Sequence, residues 1–116
     1  NLFNMELQLD SFKPIISDII RNISEGHYHI IEANKQNERI NIYNLERVIK
    51  SYGGTIIPIP DDAYQKAEAY NIKNERLDVY IPLWTREEEQ RNLTLSVSCF
   101  YVNDVPKAEL DDLRVL

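Results

Sequence analysis

The chain reads as an α+β domain, with two N-terminal helices packed on a mainly antiparallel β-sheet. Three observations carry that reading. An apolar stripe of helical period occupies residues 12–23, and a second lies at residues 42–52. From Leu77 onward the apolar period drops to two. Helices grouped ahead of strands, rather than alternating with them, describe an α+β layout with the helices on one sheet face.

In the first helix, Phe12, Ile15, Ile16, Ile19, Ile20 and Ile23 follow one another at spacings of three and four, which places them on one side. Asp10 or Ser11 is the expected cap, Pro14 is tolerated in a first turn, and Gly26 ends the helix. The segment His27 to Asn34 reads as a short strand or a partly helical connection, and Lys35 to Arg39 as a loop. Ile42, Leu45, Val48, Ile49 and Tyr52 then mark the second helix. Asn41 caps it and Gly53-Gly54 stops it.

Thr55 to Pro60 is β-branched but interrupted by proline, which suits an edge strand. Asp61 and Asp62 can start one or two helical turns through Ala67, since carboxylates favour the positive end of a helix dipole. Tyr70 to Ile72 reads as a brief strand and Lys73 to Glu75 as a turn. Leu77, Val79, Ile81 and Leu83 alternate with Asp78, Tyr80, Pro82 and Trp84. After a polar connection at Thr85–Asn92, Leu93, Leu95, Val97, Cys99 and Tyr101 alternate again. These are the two arms of an antiparallel hairpin with one face on the core. Asn103-Asp104 turns the chain away, and Leu113 to Leu116 can add a last short strand.

Residues 1–116 are expected to form a single domain. Their 43% hydrophobic and 28% charged content is ordinary for a globular chain. A domain of this size buries roughly 65% of its unfolded surface, enough to fold without staples. Residues Asn1 to Asn4 precede Met5, so they are expected to be a remnant foreign to the native chain. The lone Cys99 lies in an apolar run and is expected to be a small buried hydrophobe. A single unpaired cysteine, no apolar run near 18 residues and no signal-peptide pattern together predict a cytoplasmic protein. A net charge of −6, from 19 acidic and 13 basic residues, disfavours nucleic acid and anionic membrane as partners.

The residues that carry chemistry do not assemble into a catalytic pattern. His27 and His29 would share one side of a strand, but half a ligand set needs further His or Cys that the chain lacks. No nucleophile elbow marks a serine, and Gly53-Gly54 has no lysine-bearing phosphate motif after it. The adjacent acids Asp61-Asp62, Glu87-Glu88-Glu89 and Asp111-Asp112 fall in predicted turns or caps, where carboxylates are normally solvated. The chain is therefore expected to be no enzyme and to need neither metal nor cofactor. The aromatic content is more informative, because interfaces are enriched in tyrosine and tryptophan. Tyr80 and Trp84 face away from the apolar set of their strand, on the side of Phe100 and Val102. That side is either a partner surface or the floor of a second layer made by residues 55–72.

The stretch Val79 to Glu89, containing Pro82-Leu83-Trp84-Thr85-Arg86-Glu87-Glu88, runs into Asn92-Leu93-Thr94-Leu95-Ser96-Val97. It resembles a family of small bacterial domains with a PLWTxEEG motif followed by SDLTL. The resemblance extends to Tyr52-Gly53, to Ile57-Pro58 and to the closing Asp111–Leu116. Glu89 stands where that pattern has glycine, and Asn92 where it has an acid. The family carries no established activity. Small acidic α+β proteins of this type resemble the immunity proteins of contact-dependent, polymorphic toxin systems. The resemblance implies a protein that binds a cognate toxin, a nuclease among the options, and blocks it without catalysis. An acidic inhibitor can occupy the basic cleft of a nuclease and associate quickly. Trp84 and Tyr80 beside Glu87, Glu88 and Glu89 would then form an aromatic anchor with an acidic rim. The alternative is a small adaptor domain that pairs with itself through Tyr80, Trp84 and Phe100.

Overall fold

The computed structural model describes residues 6–115 and, within them, the side chains of all but residues 89–91. The expected remnant at residues 1–4 lies outside the described residues. Three helices precede five strands: α1 (Leu9–Ser24), α2 (Tyr28–Ala33), α3 (Ile42–Tyr52), β1 (Ile56–Ile57), β2 (Glu68–Ile72), β3 (Arg76–Thr85), β4 (Glu89–Val102) and β5 (Val105–Val115). A 3-10 turn at Asp61–Lys66 lies between β1 and β2. The α+β class holds, with one short helix more than expected.

α1 starts a turn earlier than the cap candidates indicated. Gln8 is the N-cap and makes no side-chain cap bond, while Asp10 lies inside the first turn. Pro14 is consequently the sixth helical residue, deeper than a first-turn position. The apolar stripe outweighs both features. Phe12, Ile16, Ile19 and Ile20 are fully buried, each contributing about 1.5–3 kcal/mol by leaving water. Gly26, at φ 72°, ends the helix. The His27 amide donates to the Asn22 carbonyl and the Gly26 amide to Ile23, closing the last turn with two crossed bonds. His27 to Asn34, read as a strand or partial helix, forms the single short helix α2. Asn41 caps α3 as expected, accepting the amides of Tyr43 at 2.8 Å and Asn44 at 3.4 Å.

The strands form one antiparallel sheet in the order β1-β3-β4-β5, with β2 sharing the β1 edge of β3. α1 lies across the inner face, touching β5 on one side and β1 on the other. There it meets Leu77, Val79, Ile81, Leu83, Leu95 and Val97, and the Tyr101 ring packs on Phe12 at 5.1 Å. The loop before α3 closes the β5 edge, where the Leu110 amide donates to the Gln36 carbonyl at 2.8 Å.

The last two strands differ from expectation. The polar connection after Thr85 is a turn of residues 86–88, and β4 begins at Glu89. The final strand is 11 residues long and starts at Val105. Asn103 and Asp104, at φ 50° and 65°, turn the chain straight back into it. Its pattern was masked by a bulge. The register passes from Ser96↔Asp112 to Val97↔Leu110, leaving Asp111 as an extra residue on β5. Leu110 and Leu113 are both buried inward as a result, at a spacing of three rather than two.

Candidate functional site

No second layer covers the outer face of the sheet among the described residues. The 55–72 region, one candidate for such a layer, instead lengthens the sheet and packs toward α1. Tyr64 of its 3-10 turn is buried against the helix side, its hydroxyl bonded to Ser17. The outer face is therefore left open among the described residues.

Its rows follow from the register. Glu68, Tyr80, Ser96 and Asp112 lie side by side across β2 to β5. The next row holds Tyr70, Asp78, Ser98 and Glu109, and beyond it Ile72 pairs with Arg76 and Phe100 with Lys107. The β5 bulge brings Asp111 out beside Asp112, so two consecutive carboxylates point to one side of a strand. Regular alternation would forbid that. A second irregularity, from Pro82↔Thr94 to Trp84↔Gln90, bends the other end of the hairpin.

The bends leave a trough of about 380 Å³ lined by Tyr80, Thr94, Ser96, Asp111, Asp112 and Arg114. The small hydroxyl residues form its floor and are buried, although they point away from the helices. Tyr80 forms one wall and stands edge-on to Tyr70, ring centroids 5.8 Å apart. The opposite wall is a chain of ion pairs. Arg76 Nε donates to Asp78 at 2.8 Å, and the Ser98 hydroxyl sits between Asp78 and Asp111. Arg39, reaching round from the loop before α3, contacts Asp111 at 3.3 Å and Glu109 at 3.2 Å. Arg114 Nε pairs with Asp112.

Of the site residues expected from sequence, Tyr80 stands in this trough. Trp84 lies four residues further along the same strand and is half-buried. The hairpin glutamates are not three equivalent solvated acids. Glu87 turns back on the chain, accepting the Thr55 amide at 2.9 Å and the Thr55 hydroxyl at 3.0 Å. Those bonds hold its carboxyl below the usual range. Glu88 is exposed, its amide donating to Thr85 Oγ1, and the side chain of Glu89 lies outside the described residues. Thr94, Ser96, Asp111, Asp112 and Arg114 went unrecognised as parts of one surface. The three-residue step from Leu110 to Leu113 was the available signal for them.

The other chemistry-bearing residues are dispersed. Cys99 is fully buried on the inner face, and burial pushes its thiol up to about 12. A group held that firmly protonated is a poor nucleophile. The His27 and His29 rings touch at 5.7 Å at the start of α2, and His27 Nδ1 lies 3.1 Å from Glu25. Among the described residues, no three His, Cys, Asp or Glu side chains are grouped to hold a metal ion. No helix among them is long and apolar enough to cross a membrane.

A family described as a domain of unknown function (DUF7668) matches residues 20–116, from the middle of α1 through the whole sheet. The chain belongs to that family. The matched span contains every residue of the trough and of the ion-pair wall, so the open face is built within the DUF7668 domain itself. No curated protein and no solved structure matches the chain.

Proposed function

We propose that this domain binds and neutralises a cognate protein toxin by non-catalytic blocking, and that the outer face of the sheet meets the partner. The observation that supports the reading is the uncovered face itself. Tyr70 and Tyr80 are exposed there, beside a trough and a wall of paired charges. Aromatic side chains with a polar surround are the usual makings of an interface centre. The acidic balance of the chain favours a basic partner, of which a nuclease is the clearest case. The toxin itself is inferred from the resemblance of the hairpin motif to immunity proteins. Binding would take place in the cytoplasm and need no cofactor.

Co-expression with the product of the adjacent gene, followed by co-purification and a growth-rescue assay, tests this. Binding together with rescue is expected, and Tyr80→Asp should weaken both. Rescue without a complex would overturn blocking as the mechanism. If Tyr80→Asp left the affinity unchanged while charge reversal at Glu87 and Glu88 abolished it, the hairpin turn would be the interface instead of the sheet face.

The same exposed tyrosines, with Phe100 on the next strand, favour one second reading: an adaptor domain that self-associates through this face. Light scattering decides it. A dimer that dissociates on Tyr80→Asp would establish self-association.

A further inference from the structure

We propose that the trough over Ser96 is the seat of one basic side chain, an arginine or lysine of the protein partner. This rests on the outer face being the partner surface. Ser96 is only 8% exposed, it lines the trough, and its hydroxyl has no hydrogen-bond partner among the described residues. That hydroxyl opens into the trough, where a polar group from outside can bond it. Beside it, Thr94 makes only a long bond of 3.4 Å to the Asn92 carbonyl. Both hydroxyls can accept from a cation's N–H groups.

The walls select the sign of the charge. Asp111 and Asp112 line the trough with Arg114, and across the wall the four carboxylates of Asp78, Glu109, Asp111 and Asp112 outnumber the guanidiniums of Arg39, Arg76 and Arg114, within an acidic chain. The Tyr80 ring, 39% exposed, offers a face for cation–π contact on the opposite side. The wall already seats guanidinium groups in this way, with Arg76 on Asp78, Arg39 on Asp111 and Arg114 on Asp112. Arg114 is the replaceable one. Its side chain is 67% exposed, and an exposed pair of that kind contributes at most about 1 kcal/mol. A volume of about 380 Å³ is at the small end for ligand sites. It suits one long side chain rather than a helix or strand.

The test titrates the full chain with N-acetyl-arginine amide, read by amide chemical shifts, with the neutral N-acetyl-citrulline amide as control. Saturable shifts centred on Thr94, Ser96 and Asp112 are expected, at least tenfold weaker for the citrulline compound. Ser96→Ala should lower the affinity about fivefold or more, and Tyr80→Ala likewise, with circular dichroism confirming that both variants fold. Equal binding of citrulline, no saturable shift, or binding that neither variant weakens would overturn the proposal. With the co-purified partner in hand, Ser96→Arg fills the trough with the chain's own cation and should weaken the complex at least tenfold. A partner that binds the face but ignores Ser96→Arg overturns the trough assignment and leaves the binding reading standing. Absence of any partner complex overturns the binding reading, while the arginine amide titration still decides the trough.

Discussion

On the inner face of the sheet, Val79, Ile81, Leu95 and Val97 are fully buried under α1. One residue along each of the same strands, the outer face carries Asp78, Tyr80, Ser96 and Ser98. Strand geometry alone creates this division, because successive side chains leave a strand on opposite sides. The inner face is apolar, closed and tightly filled, and its energy is folding energy. The outer face places hydroxyls and ion pairs where an apolar layer would not fit. Buried residues on the two sides are buried for different reasons. Ser98 is as inaccessible as Leu95, yet it lies beneath its own charged neighbours rather than beneath a helix.

That contrast can be broken from either side. Phe12→Ala removes a fully buried ring from the helix side and should cost about 3–5 kcal/mol, seen as a lower denaturant midpoint at unchanged slope. Leu110→Ala empties a fully buried site on β5 and should cost about 2–5 kcal/mol, read in the same way. A variant of native stability would show that β5 is not held by its inward leucines.

Cys99 probes the inner face by pH. Its thiol titrates at about 12 in the folded chain against an ordinary 9.0, so the folded state holds the proton more tightly than the unfolded state. The resulting stability is complete below pH 9. It should fall by up to about 1.4 kcal/mol per pH unit between 9 and 12 as the unfolded thiol ionises. Cys99→Ala should flatten that part of the pH–stability curve, and an unchanged slope would assign the alkaline loss to other groups. The smallest effect belongs to the outer face. Tyr80→Ala should change stability by about 0.5 kcal/mol or less, while weakening the partner complex. A large loss of stability would make Tyr80 part of the fold rather than of a surface.

Much of this architecture was legible in residue spacing. The stripe of Phe12, Ile16, Ile19 and Ile20, the Asn41 cap, the Gly53 stop and the alternation through β3 and β4 each depend on neighbours within a few positions. Local chemistry decides such features. β5 was not legible beyond its last residues. Pro106, Lys107, Glu109 and the Asp111-Asp112 pair carry no β signal, and the bulge breaks the period of two. That strand exists because β4 offers it a ladder and α1 a surface to cover. The edge placement of residues 55–72 was equally hidden, since nothing local distinguishes lengthening a sheet from covering it.

The candidate site divides in the same way. Alternation set Tyr80 apart from the core, and its place on the outer face is read from strand period alone. The company it keeps is a tertiary matter. Thr94, Ser96, Asp111, Asp112 and Arg114 converge on Tyr80 only through cross-strand register and one extra residue. Glu87, which reads as a solvated acid in sequence, is claimed by Thr55, 32 positions away. Periodicity reports which side of an element a residue occupies, whereas a site is a set of distances between elements. Those distances arise only when the elements pack.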